Sequence, residues 1–490
     1  FGREDGTLAT LDSSFRKGLF RPAGYIAENQ GAETTYNGVS LFHLMEARAV
    51  TAGDRNWNFL DEVVPRMLDF KLHQYFRDPD GRYDGPSGYA NRTGNSYVYD
   101  QRDRSWRDAA AAGTYVEGRP LACNLKNKGS FGFPEPAQMA RDVVEAIRVF
   151  NDRGIGKSNE AAPPEWKHEH WPPDTPYSAA PGWYETLRKL NQAGDPSFVT
   201  PFERPEPVNR GFGDEFWAYK NNDGKRDFGF FIETLPGSCY GPWVGGSLQA
   251  FWTKSTGLLV LACHDKTGDE FDKHENTRVW SEIDKWGTHH IWGRDADGTA
   301  VSNAVDVTDN KVTHKLGDMP PFVEVDSQFY RGPTKDQPGT NGTPMAATSI
   351  TTRFQALPDG LLVRQKIDPA SKGLKELWCT LPVFLRNAQA QAKLKDASIE
   401  YWDGTGWQLL GTELIATTKL RLGRDFGTGP QFGYVHFQQP RRVKLSAEAW
   451  QAAYQSRNRL RNVHIDLHGD PGKLQPVAAQ EINFRITTKE

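Results

Sequence analysis

The residues best suited to proton transfer in this chain are Tyr36 and Asn37. They lie between a loop containing Gly24 and Glu28 and a segment, 39–52, whose apolar spacing predicts a short helix. Loops that lead into helices often hold polar side chains over a cleft, although the same arrangement is also an ordinary way to begin a helix. A tyrosine hydroxyl, with a pKa of about 10, accepts a proton near neutral pH only beside cations or hydrogen-bond donors. Tyr36 therefore requires a histidine or an arginine that faces it.

A pair of adjacent histidines, His289 and His290, supplies candidates for that facing residue. Trp286, Trp292 and Arg294 flank the pair, and such side chains stack on rings and bind carboxylates. Neighbouring residues of a strand point to opposite faces, so only one of the two histidines can reach a cleft. The sequence does not decide which one it is. A structural role for both, in a tryptophan-rich sheet, remains the alternative.

A long polar segment, residues 80–106, is the second source of candidate ligand-binding residues. It is rich in Gly, Asn, Tyr and Arg, and a loop of this length in a compact domain is usually functional or disordered. Its aromatic residues argue against disorder. Tyr97 and Arg102 represent the aromatic and guanidinium groups that suit an anionic ligand. Ordinary loop packing remains the alternative.

Two further segments contain residue types that bind metals, but their spacing matches no metal motif. We therefore predict no metal ligands and no cofactor, and a structural zinc or calcium ion stays an open alternative. Solvated surface loops are the favoured interpretation of both. The residues concerned are Cys263, His264, Asp265, Asp269, Asp272 and His274 in one segment, and His168 and His170 in the other.

Composition excludes several classes of protein. A hydrophobic content of 37% and a charged content of 25% are typical of a globular protein, and the longest apolar run, at 257–263, is too short to cross a bilayer. The net charge of −3 provides no overall field for attracting nucleic acid. We therefore predict neither nucleic-acid nor membrane partners. The chain begins at Phe1 without a signal-like apolar segment, as expected of a processed secreted protein or of a fragment.

The 490 residues exceed what one hydrophobic core usually supports, which predicts two large domains. Apolar residues recur at helical spacing in the first two hundred residues, as in the segment 58–76. Four prolines at 195–210 precede a change to alternating, strand-like patterns. We predict a helical domain at 1–205, which is incomplete if the chain is a fragment, and a large antiparallel β-sandwich domain at 206–490.

This architecture, together with the stretch from Pro22 to Ala47, resembles polysaccharide lyases of the helical (α/α) toroid plus β-sandwich type, the heparinase II/III-like and alginate lyases. In that family an aromatic and glutamate-containing run precedes a tyrosine that exchanges protons during β-elimination. Gly24, Tyr25 and Glu28 match the run, and Tyr36 matches the tyrosine. The family also contributes a histidine from the sandwich domain to the same cleft. The resemblance thus implies a secreted or periplasmic lyase acting on a uronic-acid-containing polysaccharide.

The resemblance assigns roles to the candidates from the sequence. Tyr36, His289 and His290 are predicted to be catalytic, with one histidine of the pair in the cleft. The predicted substrate-binding residues are Glu28, Asn37, Tyr97, Arg102, Trp286 and Arg294.

Two alternatives stay open. A glycoside hydrolase on a helical toroid would need two carboxylates across a cleft, for which Glu28, Glu33 and Asp84 are available. A non-catalytic carbohydrate-binding protein would need only aromatic surfaces, and the chain has 15 Trp, 16 Tyr and 27 Phe. The sequence does not identify the uronate polymer.

Overall fold

The structure is a computed structural model whose described residues lie mainly in the second half of the chain. They fall into two compact units, a larger one from Pro205 to Glu490 and a smaller one formed by the described residues before it. The extents of the two predicted domains stay predictions, because most residues before 201 lie outside the described ranges. The described residues are 20–27, 59, 62–63, 66–67, 69–70, 73–74, 76–77, 79, 83–85, 201–221, 224, 227–234, 245–262, 280–303, 311–332, 342–345, 349–368, 370–387, 397–447, 450–451, 458–477 and 479–490.

The described residues form 26 strands and a short 3₁₀ helix at Trp280–Lys285. The first fourteen strands are β1 Phe20–Arg21, β2 Tyr25–Ile26, β3 Phe76–Arg77, β4 Tyr83–Asp84, β5 Val208–Phe212, β6 Phe216–Lys220, β7 Phe228–Glu233, β8 Ser247–Thr253, β9 Gly257–Leu261, β10 His290–Asp295, β11 Ala300–Ser302, β12 Lys311–Lys315, β13 Phe322–Ser327 and β14 Tyr330–Arg331. The remaining twelve are β15 Thr343–Pro344, β16 Ile350–Leu357, β17 Gly360–Ile367, β18 Ala370–Asn387, β19 Ala397–Trp402, β20 Trp407–Leu409, β21 Ile415–Asp425, β22 Pro430–Leu445, β23 Trp450–Gln451, β24 Asn458–Asp466, β25 Gln475–Val477 and β26 Gln480–Thr487.

Strands β5 to β26 belong to one antiparallel sheet of 22 strands. Alternating sequences build it: in β16, the residues Ile350, Thr352, Phe354 and Ala356 are buried while their neighbours are partly exposed. Most strands pair with the next strand along the chain. Additional pairings, such as β17 with β26 and β18 with β24, join distant parts of the chain and curl the sheet back on itself.

The core lies on the inner side of the curled sheet. Its aromatic part includes Trp217 and Phe230, whose ring centroids are 4.8 Å apart at a steep angle. Smaller residues from β17, β18, β24 and β26, such as Val363, Cys379 and Ile465, complete it. Because the inner positions are apolar in nearly every strand, the register of each strand is fixed by burial.

The predicted fold class, a helical toroid followed by a β-sandwich, is wrong. In the described residues, helical backbone is limited to six positions between 62 and 70 and to Trp280–Lys285, and no helical toroid is formed. The large antiparallel domain is present as one curled sheet instead of two separate layers. The physical reason is that β18 is hydrogen-bonded to β9, β10, β24 and β25 and so connects what would otherwise be two sheets.

The smaller unit has a compact core of its own among the described residues. Val63, Met67 and Phe70 are buried at the spacing of one helix face. Phe70 packs against Tyr25 with ring centroids 5.4 Å apart, and Arg66 donates a hydrogen bond to the carbonyl of Pro22 at 3.0 Å. These contacts attach the hairpin of β1 and β2 to the helical segment.

A second difference from the sequence pattern concerns residues 446–455, which favour a helix. In the structure, Trp450–Gln451 form β23 and pair with β24. Pairing with a neighbouring strand here outweighs local propensity. None of the helices in the described part of the chain has the length and apolar character needed to cross a membrane.

Candidate functional site

The candidate site is a row of polar side chains across three neighbouring strands. His290 on β10 lies opposite Thr380 on β18, and Thr380 lies opposite His464 on β24. Directly opposed residues in a sheet point to the same side, so the two histidines share one face with the threonine between them. Their neighbours Ile291, Cys379 and Ile465 belong to the core, which places the polar row on the opposite, outer side.

The hydrogen bond of His290 fixes its tautomer. Its Nδ1 atom lies 2.8 Å from the carbonyl oxygen of Thr288. Because a carbonyl oxygen only accepts, Nδ1 carries the hydrogen of this bond. The ring packs 5.6 Å from that of Trp286. The hydrogen bond and the ring contact together fix the orientation of the His290 ring.

A hydrogen bond with Thr380 fixes the orientation of the His464 ring. Its Nδ1 atom is 3.1 Å from Thr380 Oγ1, which also accepts a hydrogen bond of 2.9 Å from the indole of Trp292. The threonine hydroxyl thus joins the indole of Trp292 to the imidazole of His464. Burial lowers the pKa of His464 to about 3, with smaller contributions in the same direction from Lys444 and His290. His464 is therefore neutral near pH 7.

Cations and indole rings border the two histidines. Lys444 lies opposite His464 and places its ammonium 4.4 Å from the ring centroid of Trp378. Trp378 in turn stacks on Trp292 at 6.3 Å. Lys444 is half-buried, whereas the histidines are nearly inaccessible. The arrangement combines two imidazoles, a cation and aromatic rings on one side of the sheet.

His289 lies on the other side of the sheet. Its ring is buried in the core against Phe354, and its Nδ1 accepts a 3.4 Å hydrogen bond from the backbone of Leu248. Burial lowers its pKa to about 3. Cys379, whose Sγ is 3.9 Å from His289 Nε2, is the nearest reactive group, and burial raises the pKa of that thiol to about 12. The surroundings of His289 are those of a core residue.

Trp286 and Arg294, the other predicted binding residues here, attach the 3₁₀ helix to β10. Trp286 is fully buried and contacts the ring of Trp280 at 5.4 Å. Arg294 forms ion pairs with Glu376 at 3.0 Å and Asp284 at 3.5 Å. Their contacts with a substrate stay predictions, and the structure gives both a packing role.

The remaining predicted site residues lie outside the described residues; they are Glu28, Tyr36, Asn37, Tyr97 and Arg102. Of the opening stretch, the structure describes Gly24, which has a φ of +99° in the turn between β1 and β2, and Tyr25, which is buried. The positive φ favours glycine at this position. Tyr25 is therefore a core residue of the smaller unit.

The polar face is the side of the sheet that carries His290, Thr380, His464 and Lys444. The sequence alone did not indicate a role for Thr380, His464 or Lys444. The segment 462–468 was predicted to be a strand, but no role was given to its polar residues. A signal did exist: His464, Asp466 and His468 alternate, which places three polar groups on one side of the strand. Their proximity to His290 follows only from the pairing of β24 with β18.

In the part of the chain that the structure describes, Asp295 and Asp297 are two carboxylates that share one partner, Arg331. Its guanidinium is 2.6 Å from Asp295 and 2.5 Å from Asp297. Asp295 also accepts a hydrogen bond of 3.0 Å from the backbone of Thr299. This pair therefore stabilises a turn and gives no support to the hydrolase alternative. The described residues contain no group of three or more His, Cys, Asp or Glu side chains that could hold a metal ion.

Acid is expected to destabilise the sheet through His289 and His464. Each has a pKa of about 3 when folded and 6.5 as a free group. Between these values the unfolded chain binds more protons, so the stability is complete above pH 6.5 and is lost as the pH falls towards 3. Each histidine adds a slope of about 1.4 kcal/mol per pH unit within this window.

Urea titrations at pH 7, 6 and 5 measure that slope. The His289→Gln variant serves as the comparison, because it removes one of the two titrating groups and should reduce the slope by about 1.4 kcal/mol per pH unit. A free energy of unfolding that stays constant from pH 7 to pH 5 in the parent protein contradicts the neutral, buried state of both rings.

Comparison with known proteins identifies no family. No protein-family model matches the sequence, and no curated protein matches it. Similar solved structures include heparinase III, at 10% identity and a TM-score of 0.33 over 99% of this chain and 65% of that one. They also include the Streptomyces coelicolor A3 chondroitin AC lyase in complex with chondroitin sulphate, at 12% identity and a TM-score of 0.42 over 98% and 56%. A third is the Paenibacillus xanthan lyase, at 9% identity and a TM-score of 0.42 over 96% and 39%.

The chain therefore spans 39 to 65% of the length of these three proteins. At such identities and TM-scores the likeness assigns neither a family nor an activity. The comparison describes a similarity of fold alone.

Proposed function

We propose that this chain belongs to a polysaccharide lyase that cleaves a uronic-acid-containing polysaccharide by β-elimination. The observation that carries the proposal is the polar row on β10, β18, β24 and β22, where His290, whose Nδ1 donates to the carbonyl of Thr288, lies on the same side of the sheet as His464 and Lys444. The resemblance of the stretch around Tyr36 to lyase sequences adds the proton-transfer group. A polymer of this kind is encountered outside the cytoplasm, so we place the protein in a secreted or periplasmic location.

The reaction removes the proton at C5 of the uronate. That proton becomes acidic only when the neighbouring carboxylate is neutralised, because negative charge spreads onto its oxygens as the proton leaves. Tyr36, in its ionised form, takes the proton from C5. The electron pair of the C5–H bond forms the C4–C5 double bond, and the C4–O bond to the leaving sugar breaks. The leaving oxygen then receives the proton from the tyrosine hydroxyl, which regenerates the ionised form.

The residues of the polar face have complementary roles in this proposal. A base with an ordinary pKa near 10 (roughly) needs a cationic or hydrogen-bonding group beside it, and His290 is the residue that we predict for this role. Lys444 provides positive charge for the substrate carboxylate. His464 and Thr380 act as positioning residues because they are joined to each other and to Trp292 by hydrogen bonds.

A panel of uronate polymers tests the activity. Incubation of the purified chain with alginate, glucuronan, ulvan and glycosaminoglycans should give, for one of them, a product that absorbs in the ultraviolet through its new double bond. Reducing ends without this absorbance would instead identify a hydrolase. Tight polymer binding without any product would identify a binding protein, and either result would reject the lyase.

A further inference from the structure

A row of basic side chains crosses the outer side of the sheet at a distance from the histidine row. Lys419 on β21 lies opposite His436 on β22, and His436 lies opposite Arg485 on β26. Arg485 in turn lies opposite Leu362 on β17. Arg485 is exposed, and the other three residues are partly exposed. One continuous line of side chains therefore carries two permanent cations and a histidine.

A second pair of like charges lies beside this row. Arg353 on β16 and Arg364 on β17 are directly opposite each other. Like charges in this position repel each other, and Arg353 is paired with Glu324 at 3.9 Å. The side chain of Arg364 is half exposed and is 3.2 Å from Glu481. Burial, followed by the positive charges of Arg485 and Lys419 among other contributions, lowers the pKa of His436.

A groove runs along the same face. Its volume is about 370 Å³, and its lining provides more cations than anions, together with amide groups that donate hydrogen bonds. An adjoining depression reaches His436 and Arg485. The lining residues of the groove are Arg364, Gln438, Gln439, Arg441, Glu481 and Asn483.

Aromatic rings continue the row at the β19–β22 end. Trp402 and Trp407 are 5.5 Å apart, Trp407 and Tyr434 are 6.1 Å apart, and Tyr434 is 6.1 Å from the ring of His436. The guanidinium of Arg421 lies 4.7 Å from the Trp407 ring. All of these side chains are partly exposed. Ring faces of this kind stack on sugar rings, and nearby cations bind their acidic substituents.

We propose that this surface, the basic–aromatic face, binds a chain of an acidic polysaccharide. We define it by Trp402, Trp407, Lys419, Tyr434, His436, Arg485 and Arg364. From β19 to β17 it crosses four strand spacings of about 4.8 Å, a length of about 19 Å that accommodates several sugar residues. The class of ligand rests on the proposed function, since a uronate polymer is both acidic and composed of rings. β22 connects the face to Lys444, which lies eight residues beyond His436 (444 − 436).

Removing two cations tests the proposal. The variant R364Q/R485Q keeps hydrogen-bonding groups at both positions but loses two charges. Its affinity for alginate and for heparin, measured by isothermal titration calorimetry, should be weaker by about tenfold, since two exposed charge-assisted contacts are lost. The matched control K311Q/K315Q loses two charges from exposed positions on β12 of the same sheet and should change affinity less than about twofold. The variant R364K/R485K should keep most of the affinity.

Several outcomes would overturn the assignment. Equal weakening in R364Q/R485Q and in K311Q/K315Q would show that only net charge matters. Unchanged affinity in R364Q/R485Q, with a thermal midpoint like that of the parent protein, would remove these arginines from any binding surface. Duplex DNA bound as tightly as heparin, with the same dependence on Arg364 and Arg485, would make the face a general polyanion surface.

The same samples separate this inference from the proposed function. Elimination is followed with a short uronate oligosaccharide, which does not need the basic–aromatic face. If the parent protein forms product but its polymer binding does not depend on Arg364 and Arg485, the lyase proposal is retained. The binding role of the basic–aromatic face is then rejected. If polymer binding depends on these arginines but no product forms, the binding role of the face is supported and the lyase proposal is rejected.

Discussion

Tyr36→Phe is expected to lower the rate of elimination at least 10²-fold (roughly), the amount typical of lost general acid–base catalysis. Phenylalanine keeps the ring and removes only the hydroxyl that exchanges protons in the proposed reaction. The fold should therefore persist. Ultraviolet absorbance of the product and the thermal midpoint, recorded on the same sample, give the two quantities.

Asn37→Ala is the matched control for Tyr36→Phe. It changes the entry to the predicted helix at the adjacent position but leaves the tyrosine hydroxyl in place. A Tyr36→Phe protein with a rate within a few-fold of the parent, and a loss of stability of about 1 kcal/mol, would mean that the hydroxyl makes only an ordinary hydrogen bond. That result would reject Tyr36 as the proton-transfer group.

His290→Gln is expected to lower kcat/KM by about 10²-fold, beyond what its loss of stability explains. The glutamine amide can still donate to the carbonyl of Thr288, as the imidazole Nδ1 does over 2.8 Å. It lacks the imidazole that we predict beside the tyrosine hydroxyl. The effect should therefore appear in kcat more than in KM.

The adjacent His289→Gln is the control for that experiment. His289 lies in the core, so an amide there is expected to reduce the stability by about 1–3 kcal/mol while the folded fraction keeps its rate. If both variants lose activity in proportion to their loss of stability, His290 is a structural residue and the polar face is not a catalytic surface.

Local patterns in the sequence predicted a part of the strands but not their partners. The alternating segments around Phe216, Phe230, Ile399 and Phe484 all lie in observed strands. Alternation also requires that His289 and His290 lie on opposite sides, as they do in the structure. It does not determine which neighbour each strand has, because pairing depends on the packing of the whole core. His290, Thr380 and His464 come together only through that pairing.

The predicted helical toroid shows the same limit, because a local pattern does not determine how elements are arranged in space. Helical spacing correctly indicates burial of Val63 and Met67 on one face. A stripe of this kind predicts that a segment packs against something, and it carries no information about how many helices surround a common axis. The helical toroid is implied by the family resemblance alone, and the described residues do not form one. Nor did the strand patterns reveal that one long strand joins both halves of the sheet.

That long strand, β18, has a consequence for how the chain reaches its native state. It pairs with Val260 on β9 and with residues from Asn458 to Asp466 on β24, so its partners come from widely separated parts of the sequence. Contacts of this kind require the closure of long loops before they become stabilising, which slows folding. Hairpins such as β16–β17 need no such closure. We expect hydrogen exchange during refolding to protect Phe354 and Val363 well before Thr380 and His464, so the polar face would be among the last parts of the molecule to be assembled.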